Sequence, residues 1–292
     1  MSRFLDKSPS QLSLQEMRFA LMDLDCDPEF IRSRTQSECQ KELRQRIQVL
    51  DLSSTGRVLH RSGILDFVRP GRHHLLLLRH GERPLTTNHQ EMTIDLTDNG
   101  LSEAVEFGKQ LKEKGIKPGG KYMSSEYARC QRTLAGILTG AGISEPIEPS
   151  PPLTGMRVML GNRSDALNLT TKIGIAGLMC AMLGQRPEIP LPGFRPVQEG
   201  LALIHRHLIQ DILEPGSRLN PTGGLSIACS HDLIIWLLVG YYLGWDSTTC
   251  QDRPGFLEGL LIWKEPPSDP GLAPIYKFVW RNQIYTIPSH IC

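Results

Sequence analysis

Short apolar runs alternate with amphipathic segments from about residue 72 onward, and this alternation is the dominant pattern of the chain. Leu75–Leu78 runs directly into Arg79-His80-Gly-Glu-Arg83-Pro, which predicts a buried strand that ends in a loop. A second apolar run, at 224–230, ends in His231-Asp232 and is followed at once by an apolar helix. Strands that alternate with helices predict an α/β fold.

Helices and further strands are predicted between and after these two strands. Apolar residues at helical spacing after Asp98-Asn99-Gly100 predict an amphipathic helix that stops at Gly115. A short strand near 121–124 leads into a helix from Tyr127 to Gly140 or Gly142, with Arg129 in its first turn. We predict the remaining elements at these positions: helices near 165–183, 197–213 and 233–243, and edge strands at 260–263 and 275–280 before a turn at Arg281-Asn282.

The chain divides by composition into a polar N-terminal part and the α/β part. Residues 1–70 contain charged stretches around two predicted helices, near 12–24 and 36–50, and we interpret them as a helical extension or docking element for a protein partner. Residues 71–292 form the main domain. Within it, residues 146–200 are rich in proline and glycine, so we predict an insertion or cap there.

Composition narrows the classes of function. The 292 residues carry 32 Lys and Arg against 31 Asp and Glu, so no global field favours nucleic acid or an anionic membrane. Seven scattered cysteines without a CxxC pair fit reduced thiols. The N-terminus lacks the apolar core of a signal peptide, and the apolar run Leu233–Trp245 is too short for a comfortable membrane span. We expect a cytoplasmic protein with neither nucleic acid nor a membrane span.

Basic and acidic candidates stand at the strand ends and at one helix start. In a doubly wound sheet, ligands bind beyond the carboxyl ends of the strands, so these side chains are expected to converge. Guanidinium groups suit the oxygens of a phosphoryl group, and a helix N-terminus adds backbone donors. The pattern therefore predicts an anion pocket formed by Arg79, His80, Arg83, Arg129, His231 and Asp232.

Such a pocket can also carry out a reaction. A neutral imidazole can attack phosphorus and form a covalent phosphohistidine that water later hydrolyses. A second imidazole can donate to the transferring oxygens, and a carboxylic acid can protonate the leaving alkoxide. His231 and Asp232 are adjacent and supply both of the latter groups.

Three segments resemble motifs of the histidine phosphatase superfamily. Arg79-His80-Gly81-Glu82-Arg83 resembles its RHG signature, and the second arginine resembles the RHGxRxP motif of the histidine acid phosphatase branch, although Pro84 comes one position early. The stretch 124–133 is similar to the strand-to-helix segment that carries a phosphate-binding arginine, which matches Arg129 rather than Arg132. Ala228-Cys-Ser-His231-Asp232 is similar to the late HD motif of that branch.

The resemblance covers about residues 72–245 and implies both a fold and a reaction. The implied fold is a phosphoglycerate mutase-like, three-layer sandwich with a mostly parallel central sheet. The implied activity is a metal-independent phosphomonoester hydrolase with no cofactor, in which His80 is the nucleophile and Asp232 the general acid. The implied phosphate pocket consists of Arg79, Arg83, Arg129 and His231.

The sequence is compatible with several alternatives. The stretch 153–162 lacks the glutamate that serves as acid in mutase-like relatives, which favours Asp232, with Glu148 as a fallback. The same fold could instead carry a phosphomutase, or a scaffold protein that binds phosphate without catalysis. The substrate could be a small phosphorylated molecule or a phosphoprotein.

Overall fold

The computed structural model describes residues 35, 37–39, 63–84, 93–116, 119–154, 157–210, 224–245, 254–265 and 275–289. The helix predicted near 12–24 lies outside these residues, and of the one near 36–50 only 37–39 are described, as helix. The docking role of residues 1–70 therefore stays a prediction.

Seven strands form one mixed sheet in the order β3-β2-β4-β1-β5-β6-β7. Their bounds are β1 His73–Arg79, β2 Tyr122–Ser124, β3 Glu148–Pro149, β4 Gly224–Ser230, β5 Gly259–Glu265, β6 Ile275–Trp280 and β7 Gln283–Thr286. The pairings from β3 through β1 are parallel, and those from β1 through β7 are antiparallel. The expected parallel arrangement thus holds for one half of the sheet, and the other half is antiparallel.

The positions of β5 and β6 correct two predictions. We expected edge strands at 260–263 and 275–280, but β5 pairs with both β1 and β6, and β6 pairs with both β5 and β7. A strand inside a covered sheet is apolar on both faces, and the first five residues of β5 are all buried. The predicted turn at Arg281-Asn282 is confirmed, since both residues have positive φ angles between β6 and β7.

Helices cover both faces of the sheet. Their bounds are α1 Asp98–Glu113, α2 Ala128–Ala141, α3 Arg163–Met182, α4 Val197–Ile204 and α5 Asp232–Leu243. Shorter helical segments lie at Ile64–Phe67, Pro151–Leu153, Arg157–Met159 and His205–Gln210. Apolar side chains of α1 and α2 pack on one face, and those of α3, α4 and α5 pack on the other. The predicted three-layer α/β sandwich is therefore confirmed.

The central strand β1 shows why this arrangement forms. Side chains alternate between the two faces of a strand, and Leu75 and Leu77 join the core under α5, whereas Leu76 and Leu78 join the core under α1 and α2. All four leucines are at most 1% exposed. The apolar run thus fills two cores at once and fixes the end of β1 rigidly.

Helix α5 is buried along nearly its whole length, as its continuous apolar sequence predicts. In the part of the chain that the structure describes, no helix is long and apolar enough to cross a membrane. Residues 157–200 add buried side chains such as Met159, Leu178 and Val197 to the core beneath α5. Their additional role as a cap stays a prediction.

Helices α1 and α2 pack together through glycine. A Cβ on Gly108 would lie 2.0 Å from the carbonyl oxygen of Ile137, and a Cβ on Gly140 would lie 1.9 Å from that of Val105. Side chains at these positions would force the two backbones apart. Because α2 carries Arg129, this contact also positions a candidate site residue.

Gly140→Ala is expected to destabilise the protein by about 1–3 kcal/mol, because the clash is with backbone that cannot rotate away. In a helix without such a contact the same change would be stabilising. The sign of the change in the free energy of unfolding therefore shows whether close packing or helix propensity dominates at this position. Chemical denaturation of the variant and of Thr139→Ala, an exposed neighbour in α2, provides the measurement. Equal stability of Gly140→Ala and the wild type would contradict the close packing.

Candidate active site

Strands β1 and β4 bring two histidines to the same edge of the sheet. The strands are parallel, with Arg79 opposite Ser230, so the residue that follows each strand lies at the same level. The backbone N–H of His80 donates to the carbonyl oxygen of Ser230 at 3.0 Å. The rings of His80 and His231 lie 5.4 Å apart between centroids, and both residues are buried.

Arg129 joins the two histidines. It lies in the first turn of α2, as predicted, and is 3% exposed. Its Nε donates to Nε2 of His80 at 3.2 Å, and its Nη2 lies 3.3 Å from Nδ1 of His231. A buried guanidinium therefore stands between the two imidazoles, where an anion would find both charge and donors.

The contacts of His80 define its tautomer. Its Nδ1 lies 2.8 Å from the carbonyl oxygen of Gly81, and its Nε2 accepts from Arg129. The proton is therefore on Nδ1, and the Nε2 lone pair faces Arg129.

The charge state of His80 follows from its surroundings. Burial lowers the pKa of His80 well below its ordinary value, and the charge on Arg79 lowers it further. His231 and Arg129 act in the same direction. The ring is neutral, as a nucleophilic imidazole must be.

Arg79 is paired with Asp232. Its Nη2 lies 3.0 Å from Oδ2 of Asp232, and its Nη1 donates to the carbonyl oxygen of Pro254 at 2.6 Å. The other carboxylate oxygen, Oδ1, accepts from the backbone N–H of Leu233 at 2.8 Å. Asp232 is the first residue of α5, and His231 occupies the N-cap position. The carboxylate is thus positioned by an arginine and by the helix N-terminus.

A loop before β5 forms another wall. The guanidinium of Arg79 lies 4.3 Å from the ring centroid of Phe256, and the ring of His80 lies 5.8 Å from the same centroid. Leu257 has a φ of 57°, a left-handed conformation that costs energy for a side chain of this size. Glu258 stabilises the loop by accepting from Gly255 N–H at 2.6 Å and from Nε of Arg281 at 2.8 Å.

Three site neighbours were missed at the sequence level. Ser125 Oγ lies 2.9 Å from Nε2 of His231, and the ring of Tyr127 lies 4.8 Å from that of His231. Both belong to the segment that resembles the arginine motif, so their proximity to Arg129 in sequence was an available signal. Phe256 comes from a loop far along the chain, where no pattern marks it.

The other predicted candidates lie in different surroundings. Arg83 donates through Nη1 to the carbonyl oxygen of Pro84 at 3.2 Å and is partly buried, and its place in a phosphate pocket stays a prediction. Arg132 is exposed and pairs with Asp95, which agrees with the preference for Arg129. Glu148 is exposed and lies 3.3 Å from Nζ of Lys121.

Two buried cysteines lie behind His231. Cys130 Sγ is 3.7 Å from Nε2 of His231 and 3.5 Å from the carbonyl oxygen of Ser230. Burial opposes the thiolate of Cys130, but a hydrogen bond with Cys229 and the proximity of His231 outweigh it and lower the pKa. Burial raises the pKa of Cys229. Both are fully buried core residues.

No metal cluster occurs in the described part of the chain: no three or more His, Cys, Asp or Glu side chains there are grouped to bind an ion.

Comparison with known families supports the sequence resemblance. The model of the histidine phosphatase superfamily (branch 1) matches residues 75–159. The resemblance to this superfamily is confirmed. The matched range contains His80 and Arg129 but ends before His231 and Asp232, so it does not test the expected similarity to the acid phosphatase branch. Comparison with curated protein sequences gives no match.

Several solved structures are similar to the chain. A mycobacterial glucosyl-3-phosphoglycerate phosphatase is 14% identical, with 66% of this chain and 91% of that one covered and a TM-score of 0.47. Mycobacterial hydrolase 2 is 17% identical, with coverages of 75% and 94% and a TM-score of 0.48. A phosphoglycerate mutase from Bacillus anthracis is 16% identical, with coverages of 74% and 92% and a TM-score of 0.42. Similarity at this level carries no argument about the reaction of this chain.

The lowered pKa of His80 predicts a specific pH dependence of stability. A histidine whose pKa is lower in the folded than in the unfolded protein contributes its full stabilisation above the ordinary pKa of 6.5. That contribution is lost progressively as the pH falls below this value, because the unfolded protein then binds the proton more readily. The free energy of unfolding should therefore fall below about pH 6.5, and fall less steeply in His80→Asn. Buried His74, with a pKa of about 4, contributes a pH dependence of the same sign, but it is present in both proteins and so does not affect the comparison. Parallel curves for the two proteins would contradict the assignment.

Proposed function

We propose that the chain is a phosphomonoester hydrolase that acts through a covalent phosphohistidine on His80. The observation that carries the proposal is the contact between His80 and Arg129, in which the buried guanidinium donates through Nε to Nε2 of the imidazole at 3.2 Å. Burial lowers the pKa of His80, which favours the neutral ring. A nucleophile and a cationic anion-binding group are thus in direct contact. The match of residues 75–159 to the model of the histidine phosphatase superfamily agrees with this chemistry.

Substrate binding exchanges partners at Arg129. The oxygens of an incoming phosphoryl group take the donors of Arg129, and this frees the Nε2 lone pair of His80 for attack on phosphorus. A P–N bond forms as the bond to the leaving oxygen breaks. The Nδ1–H of His80 remains donated to the carbonyl oxygen of Gly81 at 2.8 Å, which stabilises the positive charge that develops on the ring.

Asp232 supplies the proton in the proposed mechanism. In the described arrangement its Oδ2 lies 3.0 Å from Nη2 of Arg79, which favours the ionised carboxylate. A phosphoryl group that competes for Arg79 weakens this pair and adds negative charge nearby, and both effects favour the protonated acid. Asp232 then protonates the leaving oxygen and afterwards removes a proton from the water that attacks phosphohistidine.

The proposal also covers the role of metal ions, the role of Arg83, the substrate class and the cellular location. Guanidinium groups provide the positive charge for the transferring phosphoryl group, so we propose a metal-independent reaction that dialysis against a chelator leaves unchanged. Arg83 is proposed as a further phosphate ligand. The substrate is a small phosphorylated molecule or a phosphoprotein, and the proposed location is the cytoplasm.

His80→Ala should lower the turnover of an aryl phosphate by at least about a thousandfold, because the nucleophile is removed. The wild type, quenched during turnover with labelled substrate, should carry an acid-labile phosphoryl group that the variant lacks. Arg132→Ala, which removes an exposed ion pair in the same helix, serves as the matched control and should retain activity.

The outcomes of that experiment separate the alternatives. Undiminished activity of His80→Ala would overturn the phosphohistidine mechanism. Transfer of the phosphoryl group to another position of the substrate, without release of phosphate, would identify a mutase. Binding of inorganic phosphate without any turnover would identify a scaffold.

Asp232→Asn should affect substrates according to their leaving groups. Hydrolysis of an alkyl phosphate, whose alkoxide needs a proton, should fall by about a hundredfold or more. Hydrolysis of p-nitrophenyl phosphate, whose leaving group is stable as an anion, should fall much less. Glu148→Gln tests the fallback acid and should change neither rate. Equal losses on both substrates in Asp232→Asn would show that the carboxylate positions Arg79 instead of donating a proton.

A further inference from the structure

The surroundings of His231 contain an unexplained buried hydroxyl. Ser125 is 0% exposed, and its Oγ lies 2.9 Å from Nε2 of His231. The backbone N–H of Tyr127 donates to the same oxygen at 3.3 Å. The backbone N–H of Ser125 donates to the carbonyl oxygen of Cys229 at 3.0 Å. The hydroxyl is therefore tied to β4 and to the start of α2.

The other ring nitrogen of His231 decides which way this hydrogen bond runs. Nδ1 lies 3.3 Å from Nη2 of Arg129, and a guanidinium can only donate. Nδ1 therefore accepts, and in a neutral ring the proton resides on Nε2. Ser125 Oγ must then be the acceptor of Nε2–H.

We propose that Ser125 is a positioning residue: its hydroxyl accepts the Nε2 proton of His231 and thereby directs Nδ1 to the phosphoryl group. The ring nitrogen next to Arg129 is then always the one that can take up a new proton. Without Ser125, Nε2–H would lose its acceptor at 2.9 Å, and only the longer 3.3 Å contact of Arg129 with Nδ1 would favour this tautomer and ring orientation.

The consequence for the reaction concerns one proton. When a phosphate monoester monoanion lies against Arg129, the O–H bond of its phosphoryl group breaks and the proton moves to Nδ1 of His231, while the P–O bond stays intact. The ring becomes an imidazolium and the phosphoryl group becomes a dianion. Nδ1–H then donates to the phosphoryl oxygens, while Nε2–H remains donated to Ser125. This part of the inference rests on the proposed function.

Cys130 is the competing neighbour of Nε2. Its Sγ lies 3.7 Å away, against 2.9 Å for the serine oxygen. The serine is therefore assigned the positioning role, and the experiment includes the cysteine as a separate arm.

The test uses nitrogen NMR of the full-length protein labelled at histidine, at pH 8, where imidazoles are ordinarily neutral. In the ligand-free wild type, His231 should show a single Nε2–H tautomer. Ser125→Ala should show a mixture of tautomers, and Ser125→Thr, which keeps the hydroxyl, should restore the single form. Ser124→Ala is the matched control, because it removes a neighbouring buried hydroxyl whose partner is the carbonyl oxygen of Ser125.

Kinetics provide the second measurement. The kcat of Ser125→Ala for an aryl phosphate should fall on the order of tenfold or more, with recovery in Ser125→Thr and no loss in Ser124→Ala. An unchanged tautomer in Ser125→Ala, or its loss in Cys130→Ala alone, would overturn the inference. If the wild type has no turnover, the proposed function fails, and the tautomer measurement still decides the role of Ser125.

Discussion

The parallel pairing of β1 with β4 is the constraint on which the site depends. Because Arg79 lies opposite Ser230, the two histidines leave the sheet at the same level and only Arg129 needs to be added from α2. The leucines of β1 bury into cores on both faces, so the strand end cannot shift relative to its neighbour. The positions of the two histidines are therefore set by backbone hydrogen bonds and by apolar packing.

Much of this architecture could be predicted from local patterns. The apolar run 75–78 identified β1, helical spacing identified α1, and the first-turn position of Arg129 followed from the strand-to-helix segment. These features depend on periodicity and on turn residues, which are properties of neighbouring residues. The N-cap of α1 is Thr97, whose side chain accepts from Gly100 N–H, one residue before the stretch in which the pattern indicated the helix start.

Long-range pairing is what the sequence could not show. The placement of β5 beside β1 joins segments almost two hundred residues apart, and an apolar strand of that kind is equally suited to other positions in a covered sheet. The same pairing brings Phe256 into the site. Phe256 lies in a loop in which Leu257 has a left-handed backbone conformation, and the presence of a leucine does not predict such a conformation. Ser125 was visible in the motif but had no assigned partner until the fold brought it to His231.

The arginines of the site already have partners within the protein, and this affects which anions can bind there. Arg79 lies against Asp232 and the Pro254 carbonyl, and Arg129 against both histidines. An entering anion must replace these internal partners, so its gain is the difference between two sets of interactions. A chloride ion presents a single acceptor atom and gains less from the exchange than an anion with several oxygens, which accepts from more than one guanidinium N–H at once. The histidines, Asp232 and the Pro254 carbonyl thus compete with any entering anion for the same arginine donors.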